Sequence, residues 1–546
     1  MAYHDAFKIN KKSMKTHFIA ICVIASIVTA CGNGNQERKE KETEYNMTTI
    51  DLSPPALCEM KAPAACSAPP SANGENYSPI VENEFKSSKA NPLSTFAIDV
   101  DGASYANVRR MLMSGLLPPS DAIRTEEFIN YFKYNYPQPT NGLPFSINSE
   151  YSQCPWAPTH QLLQIGIKGK EVDIKTAPNN NLVFLIDVSG SMSDDNKLPL
   201  LKRAFKLLVN QLREDDQISI VVYAGNAGVV LDGADGDEPE KILKALDELE
   251  AGGSTAGGEG IELAYKLAKE HYIKKGNNRI IIATDGDFNV GVSSQSELEK
   301  LIEEKRNDGI YLSVLGFGEG NIQDNIMEAL ADKGNGNYNY IDNFMEARKV
   351  LVSQFGGTLI TIAKDVKIQV EFNPNKVKEY RLIGYENRLL NAEDFNDDKK
   401  DAGEIGAGHC VTALYEIIPF GSSESKTNID DLKYNTSDPS SDKEVANIKF
   451  RYKGINKKDT TSLLISKAIS AEDFRYNSSS NLKLAAGVTE FAMLLRDSKH
   501  SQKASFDQSI QLVSAAKQND SEGYVAGLIE MIKIAKDLKA NAAVEN

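Results

Sequence analysis

Between residues 180 and 356, short runs of uninterrupted apolar residues alternate with stretches whose apolar residues recur every three or four positions. No other feature of the chain restricts its fold so sharply. The runs are Leu182–Ile186, Ile218–Tyr223, Ile280–Ala283 and Tyr311–Phe317. Between the first two, Leu198, Leu201, Phe205, Leu208 and Leu212 share one helical face, and further helices are predicted from about Gly260 to Lys274 and near Leu298–Lys305. A strand covered on both faces reads as a continuous apolar run, whereas a helix repeats every 3.6 residues. Their alternation predicts an α/β unit, a doubly wound parallel sheet with helices on both faces.

Three oxygen-rich segments fall where such a sheet binds ligands, at the carboxyl ends of its strands. Asp187-Val188-Ser189-Gly190-Ser191 directly follows the first run, and its oxygens at alternate positions can converge as the chain turns into the next helix. Gly252-Gly253-Ser254-Thr255 brings another hydroxyl on a loop whose glycines allow close approach of backbone. Thr284-Asp285-Gly286 ends a later strand with a second carboxylate. In a doubly wound order the first and fourth strands flank the switch point, so the three segments point at one place. Carboxylates and hydroxyls are hard ligands that suit Mg²⁺, Mn²⁺ or Ca²⁺.

Asp-x-Ser-x-Ser, a threonine after glycines, and Thr-Asp-Gly after a strand resemble the metal-ion-dependent adhesion site (MIDAS) of von Willebrand factor A (VWA) domains. The resemblance implies Asp187, Ser189, Ser191, Thr255 and Asp285 as metal ligands. It also implies a coordination position left open for an Asp or Glu carboxylate of a protein partner. Outside this unit, Asp99-Val100-Asp101-Gly102-Ala103-Ser104-Tyr105 and Leu117-Pro118-Pro119 are similar to the N-terminal segment of YfbK-like VWA lipoproteins. Leu382-Ile383-Gly384-Tyr385-Glu386-Asn387-Arg388 and Phe491-Ala492-Met493-Leu494-Leu495-Arg496 resemble that family's C-terminal domain.

The N-terminus reads as processing signal. Lys8, Lys11, Lys12 and Lys15 precede a charge-free stretch from Phe18 to Ala30, too short to span a bilayer. Val28-Thr29-Ala30-Cys31 resembles a bacterial lipobox, so residues 1–30 are expected to be a signal peptide and Cys31 a lipid-bearing first residue in the cell envelope. Residues 31–90, with an alternating charge run and a Pro/Ala/Ser-rich stretch, are expected to form a disordered tether.

The rest of the 546-residue chain divides into an N-terminal segment at 91–144, strands at 145–179, the VWA unit at 180–356, a β-rich region at 361–455 and a helical region at 456–546. Leu163, Ile165 and Ile167 alternate before the VWA unit, and Val366, Ile368, Val370 and Phe372 alternate after it. Few strands cannot hold a sheet alone. The expectation is therefore that 145–169 pairs with 361–455 in one domain, with the VWA unit inserted and hinged near Asn179 and Gly356-Gly357. Cys154 and Cys410 then share a domain where a bridge is open to them, as is Cys58–Cys66, although spacing does not set the pairing.

A net charge of −15 without clustered basic residues argues against a nucleic-acid partner. Two rivals to a binding protein stand. Phe96-Ala97-Ile98-Asp99-Val100-Asp101-Gly102 resembles the opening motif of haloacid-dehalogenase-type phosphatases, with Asp99 as nucleophile and Asp101 as acid, but no following β/α repeats supply the other groups. A structural role for both, capping the helix near Ser104 or pairing with Arg109 and Arg110, is the simpler expectation. The second rival is a structural envelope protein without metal-dependent binding.

Overall fold

The computed structural model describes residues 74–545 apart from 141, 255–256, 287–294, 355–359, 428–442, 456–458 and 517–519. The expected signal peptide, Cys31, Cys58 and Cys66 lie outside the described residues, as do Thr255 and Gly356-Gly357. Residues 74–90, expected as the end of the tether, are packed on the folded body. Lys86–Ser87 pairs with Val377–Ile383, Phe85 is buried, and Ile80 N–H donates to Asp121.

The α/β unit has one sheet in the order Tyr338–Ile341, Ile310–Phe317, Asn277–Thr284, Asn180–Asp187, Gln217–Tyr223, Ala227–Asp235. All neighbours are parallel except the last pair. The antiparallel edge strand Ala227–Asp235 was not legible, because half of it faces solvent and its alternation is broken by two register shifts. The central strand Asn180–Asp187 is buried throughout, as its apolar run demands. Helix Leu198–Val209 packs Leu201, Phe205 and Leu208 on one face of the sheet. Helix Gly257–Glu270 packs Ile261, Ala264 and Ala268 on the other. Pro199 lies in the first turn of its helix, where a missing N–H costs nothing.

The sheet unit is a guest in a β-sandwich. Gln161–Gly169, which precedes it, pairs antiparallel with Cys410–Pro419, which follows it, in register from Ile417 opposite Gln161 to Cys410 opposite Lys168. One sandwich sheet runs Lys86–Ser87, Val377–Ile383, Cys410–Pro419, Gln161–Gly169, Phe145–Gln153, Phe474–Arg475. The other runs Leu389–Leu390, Leu93–Ala97, Thr361–Phe372, Glu444–Lys453, Leu463–Ser470. Ile165, Ile167, Ile368, Val370, Tyr415 and Phe450 share the core between them.

Two boundaries move. Leu93–Ala97, expected within a separate N-terminal segment, is a strand of this sandwich, since five residues gain stability only by pairing with Thr361–Phe372. Leu463–Ser470, expected as helix, is an edge strand whose side chains are mostly exposed, so it carries no period-two signal. Helices begin at Ser480, where Ser479 Oγ accepts the Leu482 N–H at 3.2 Å. Helices Ser480–Leu495, Phe506–Ala515 and Tyr524–Glu545 form a second core with Ala103–Met113 and Thr125–Asn130.

Cys154 and Cys410 are both free thiols. They lie in the same domain, yet Cys410 Sγ contacts the Tyr134 carbonyl at 3.6 Å instead. The expected hinge near Asn179 is spanned by hydrogen bonds. Arg213 clamps the Ala177 and Pro178 carbonyls at 2.7 Å each, and Asn179 O accepts the Asn277 N–H at 2.9 Å.

Buried arginines bind the parts together. Arg124 meets Glu127 at 3.0 Å and Glu328 at 2.7 Å, and also Asp324. Arg109 reaches Asp342 and Glu346 of the guest from helix Ala103–Met113.

Candidate metal centre

Asp187 closes the central strand and is fully buried. Its Oδ1 accepts the Ser189 N–H at 2.9 Å, which turns the chain sharply out of the sheet. Its Oδ2 accepts the Tyr223 hydroxyl at 3.1 Å and the Thr284 hydroxyl at 3.2 Å. These bonds fix the carboxylate from both neighbouring strands. A short 3₁₀ turn, Gly190–Ser193, then places Ser191 Oγ 3.0 Å from Ser189 Oγ.

The glycine loop is tied to this turn from the other side. Gly190 N–H donates to Gly253 O at 3.1 Å and Gly252 N–H to Val188 O at 2.7 Å. Gly253 has φ +85°, a conformation that disfavours any side chain. The loop thereby leads to Thr255, which itself lies outside the described residues.

Asp285 ends the adjacent strand Asn277–Thr284 and is also buried. Gly286 after it has φ +105°, and a Cβ there would lie 2.7 Å from Gln323 N and 2.8 Å from Asn321 O. Only glycine lets the chain leave the sheet at that point. The side chains of Ser191 and Asn321 hydrogen-bond Asp285. Lys197 Nζ stands 3.0 Å from Asp285 Oδ2, and the lysine is nearly as buried as its partner.

The two carboxylates differ electrically. Burial pushes the Asp187 carboxyl up from its ordinary value, partly offset by Ser189 and reinforced by the charge of Asp285. Asp285 feels the same desolvation, but the hydrogen bond and charge of Lys197 outweigh it and hold its carboxyl low. The structure thus brings Asp187, Ser189, Ser191 and Asp285 together at the carboxyl ends of neighbouring strands. Two carboxylates and two hydroxyls form a hard-oxygen donor set that fits Mg²⁺, Mn²⁺ or Ca²⁺.

Sequence reasoning missed Lys197, Tyr223 and Asn321. Lys197 follows Asp194-Asp195-Asn196 and reads like any surface lysine, and Tyr223 reads only as the last residue of a strand.

Asp99 and Asp101 have a different setting from that of a phosphatase. The strand before them belongs to the sandwich. Arg388 lies 3.4 Å from both carboxylates, and Asp101 Oδ1 accepts the Tyr338 N–H at 2.9 Å. Their expected pairing with Arg109 and Arg110 is not made, since those arginines turn to Asp342, Glu346, Glu75 and Glu319. Nor do they cap the helix; Glu127 accepts the Ser104 N–H at 2.8 Å. The arrangement therefore does not favour the phosphatase reading.

Sequence comparison assigns the α/β unit to a known domain family. The family described as von Willebrand factor type A domain matches residues 181–353. One described as von Willebrand factor matches 71–164, and one described as the C-terminal part of uncharacterized protein YfbK matches 357–538. Uncharacterized protein YfbK of Escherichia coli (strain K12) is 42% identical over 473 residues, covering 84% of this chain and 80% of that one. Inter-alpha-trypsin inhibitor heavy chain H3 of Homo sapiens is 26% identical over 263 residues, covering 43% of this chain and 28% of that one. Among solved structures, von Willebrand factor type A from Catenulispora acidiphila is 17% identical, with 72% of this chain and 91% of that chain covered at a TM-score of 0.39.

Proposed function

The chain belongs to the YfbK family of VWA-domain proteins, and on that premise we propose that it is a lipid-anchored envelope protein that binds a partner through a divalent metal. The metal, Mg²⁺ or alternatively Mn²⁺ or Ca²⁺, would be held by Asp187, Ser189, Ser191, Thr255 and Asp285. When bound, it supplies a Lewis-acidic position that an Asp or Glu of a protein partner can ligate. The observation that carries the reading is the convergence of two buried carboxylates and a pair of hydroxyls 3.0 Å apart on one rim of the sheet. Two carboxylates do no more than match the charge of a divalent cation, and neutral hydroxyls as the other ligands leave room for an anionic partner.

Calorimetry on chelator-stripped protein tests the metal. Mn²⁺ or Mg²⁺ is expected to bind the wild type, with binding abolished in Asp187→Ala; equal affinity in both would falsify the assignment. Partner capture is then expected only with metal present and Asp187 intact.

The anchor rests on the lysines, the apolar stretch and Cys31. Among the described residues no helix is long and apolar enough to cross a membrane. Labelled fatty acid is expected in the wild type and not in Cys31→Ser, and label retained by that variant contradicts the anchor.

A further inference from the structure

Lys197 occupies an unusual position for a lysine. Its backbone closes the turn that follows Gly190–Ser193, just before helix Leu198–Val209, and its N–H donates to Asp194 O at 2.9 Å. Its side chain runs inward, with a relative exposure of 6%, to place Nζ against Asp285 Oδ2. The path is built by a second segment. Gly318, after strand Ile310–Phe317, has φ +74°, and a Cβ there would collide with the Lys197 stem along Cγ, Cδ and Cε. Gly318 O is itself held by the buried Tyr340 hydroxyl. A glycine in a left-handed conformation that other residues rarely adopt, fixed from the next strand, thus keeps a passage open for one ammonium group.

We infer that Lys197 is an internal counter-cation of the metal centre, which stabilises the metal-free site and weakens its hold on divalent ions. The inference rests on the metal reading above. Two carboxylates, Asp187 and Asp285, exactly balance a divalent ion and would leave a neutral site. With the ammonium beside Asp285 the loaded site carries one net positive charge. That excess has two consequences. The ion is held less tightly, because like charges repel strongly where water is excluded. The loaded site also favours an incoming carboxylate over a neutral ligand. Without metal, the same ammonium compensates the buried charge of Asp285, which is costly to hold away from water. Lys197 therefore makes occupancy of the site depend on the surrounding cation concentration, instead of locking an ion in place as a structural component.

Mn²⁺ titration of the chelator-stripped full chain by calorimetry tests this, comparing wild type, Lys197→Met, Lys197→Gln and Asp187→Ala, with thermal melts of each in EDTA and in Mn²⁺. Both lysine variants are expected to bind Mn²⁺ at least tenfold more tightly than wild type. They are expected to melt lower than wild type in EDTA and to recover in Mn²⁺. Equal or weaker binding by the lysine variants, with Asp187→Ala still inactive, overturns the counter-cation role and leaves the metal site standing. No binding by any protein overturns the metal reading and the inference together. The glutamine variant keeps the test decisive where the methionine variant does not fold.

Discussion

Among single residues, Glu490 shows how an isolated charge can set a pH dependence. It lies on helix Ser480–Leu495, fully buried, and among the described residues neither carboxylate oxygen finds a hydrogen-bond partner. Burial alone lifts its carboxyl to about 8. The folded protein therefore binds a proton that the unfolded chain releases near its ordinary value of 4.5. Stability from this group is fully present below that value, falls as pH rises between the two, and levels off above about 8. Denaturant melts are expected to show wild type losing about 3–4 kcal/mol more than Glu490→Gln between pH 5 and pH 8. Parallel pH profiles for the two proteins would remove Glu490 as the source. Gly286 makes a conformational point at the same scale. Gly286→Ala forces a Cβ into the backbone of residues 321–323 at φ +105°, with an expected cost of roughly 1–3 kcal/mol and weaker Mn²⁺ binding through displacement of Asp285. Unchanged melting and calorimetry in that variant would show the turn to be adaptable.

Elements were legible in proportion to how completely they are buried. Strands Asn180–Asp187 and Asn277–Thr284 were readable because both faces are covered, so the runs Leu182–Ile186 and Ile280–Ala283 within them stay apolar until a carboxylate or hydroxyl ends each. That same abruptness exposed Asp187 and Asp285 as candidates. The pairing of 145–169 with residues beyond the VWA unit was also legible, from alternation on either side of it and the inability of two strands to stand alone. Leu463–Ser470 was not, since an edge strand in solvent carries little pattern. The place of Leu93–Ala97 in the sandwich was not legible either, because a partner 270 or so residues away in sequence leaves no local trace. Lys197 escaped for a related reason. What makes it part of the site is Gly318, on a different strand, and no spacing within either segment links the two.

At the scale of the whole molecule, buried ion pairs join the guest to its host. Arg124, ahead of helix Thr125–Asn130, serves Glu127 together with Asp324 and Glu328 of the guest. Removing one partner from such a buried cluster costs about 3–5 kcal/mol, because the others remain as uncompensated charges. Arg124→Met is accordingly expected to lower the melting temperature and to split a single calorimetric transition into two, as guest and sandwich cease to unfold together. A single, merely shifted transition would show that apolar packing couples them without the arginine.

The turn at residues 406–409 receives both ends of the inserted unit. Gly408 N–H donates to Lys170 O at 3.0 Å where the chain departs, and Ala407 N–H donates to Ile360 O at 2.8 Å where it returns. For a chain made from its N-terminus this imposes a schedule. Strand Gln161–Gly169 emerges early but cannot meet Cys410–Pro419 until the whole intervening segment has been synthesised. Bringing distant points together costs entropy that grows with the free length between them. A guest that folds first replaces that long flexible loop by a compact body whose two ends already lie near each other. The sandwich can then close across a short gap, and the order of assembly, inner unit before outer, is written into the connectivity.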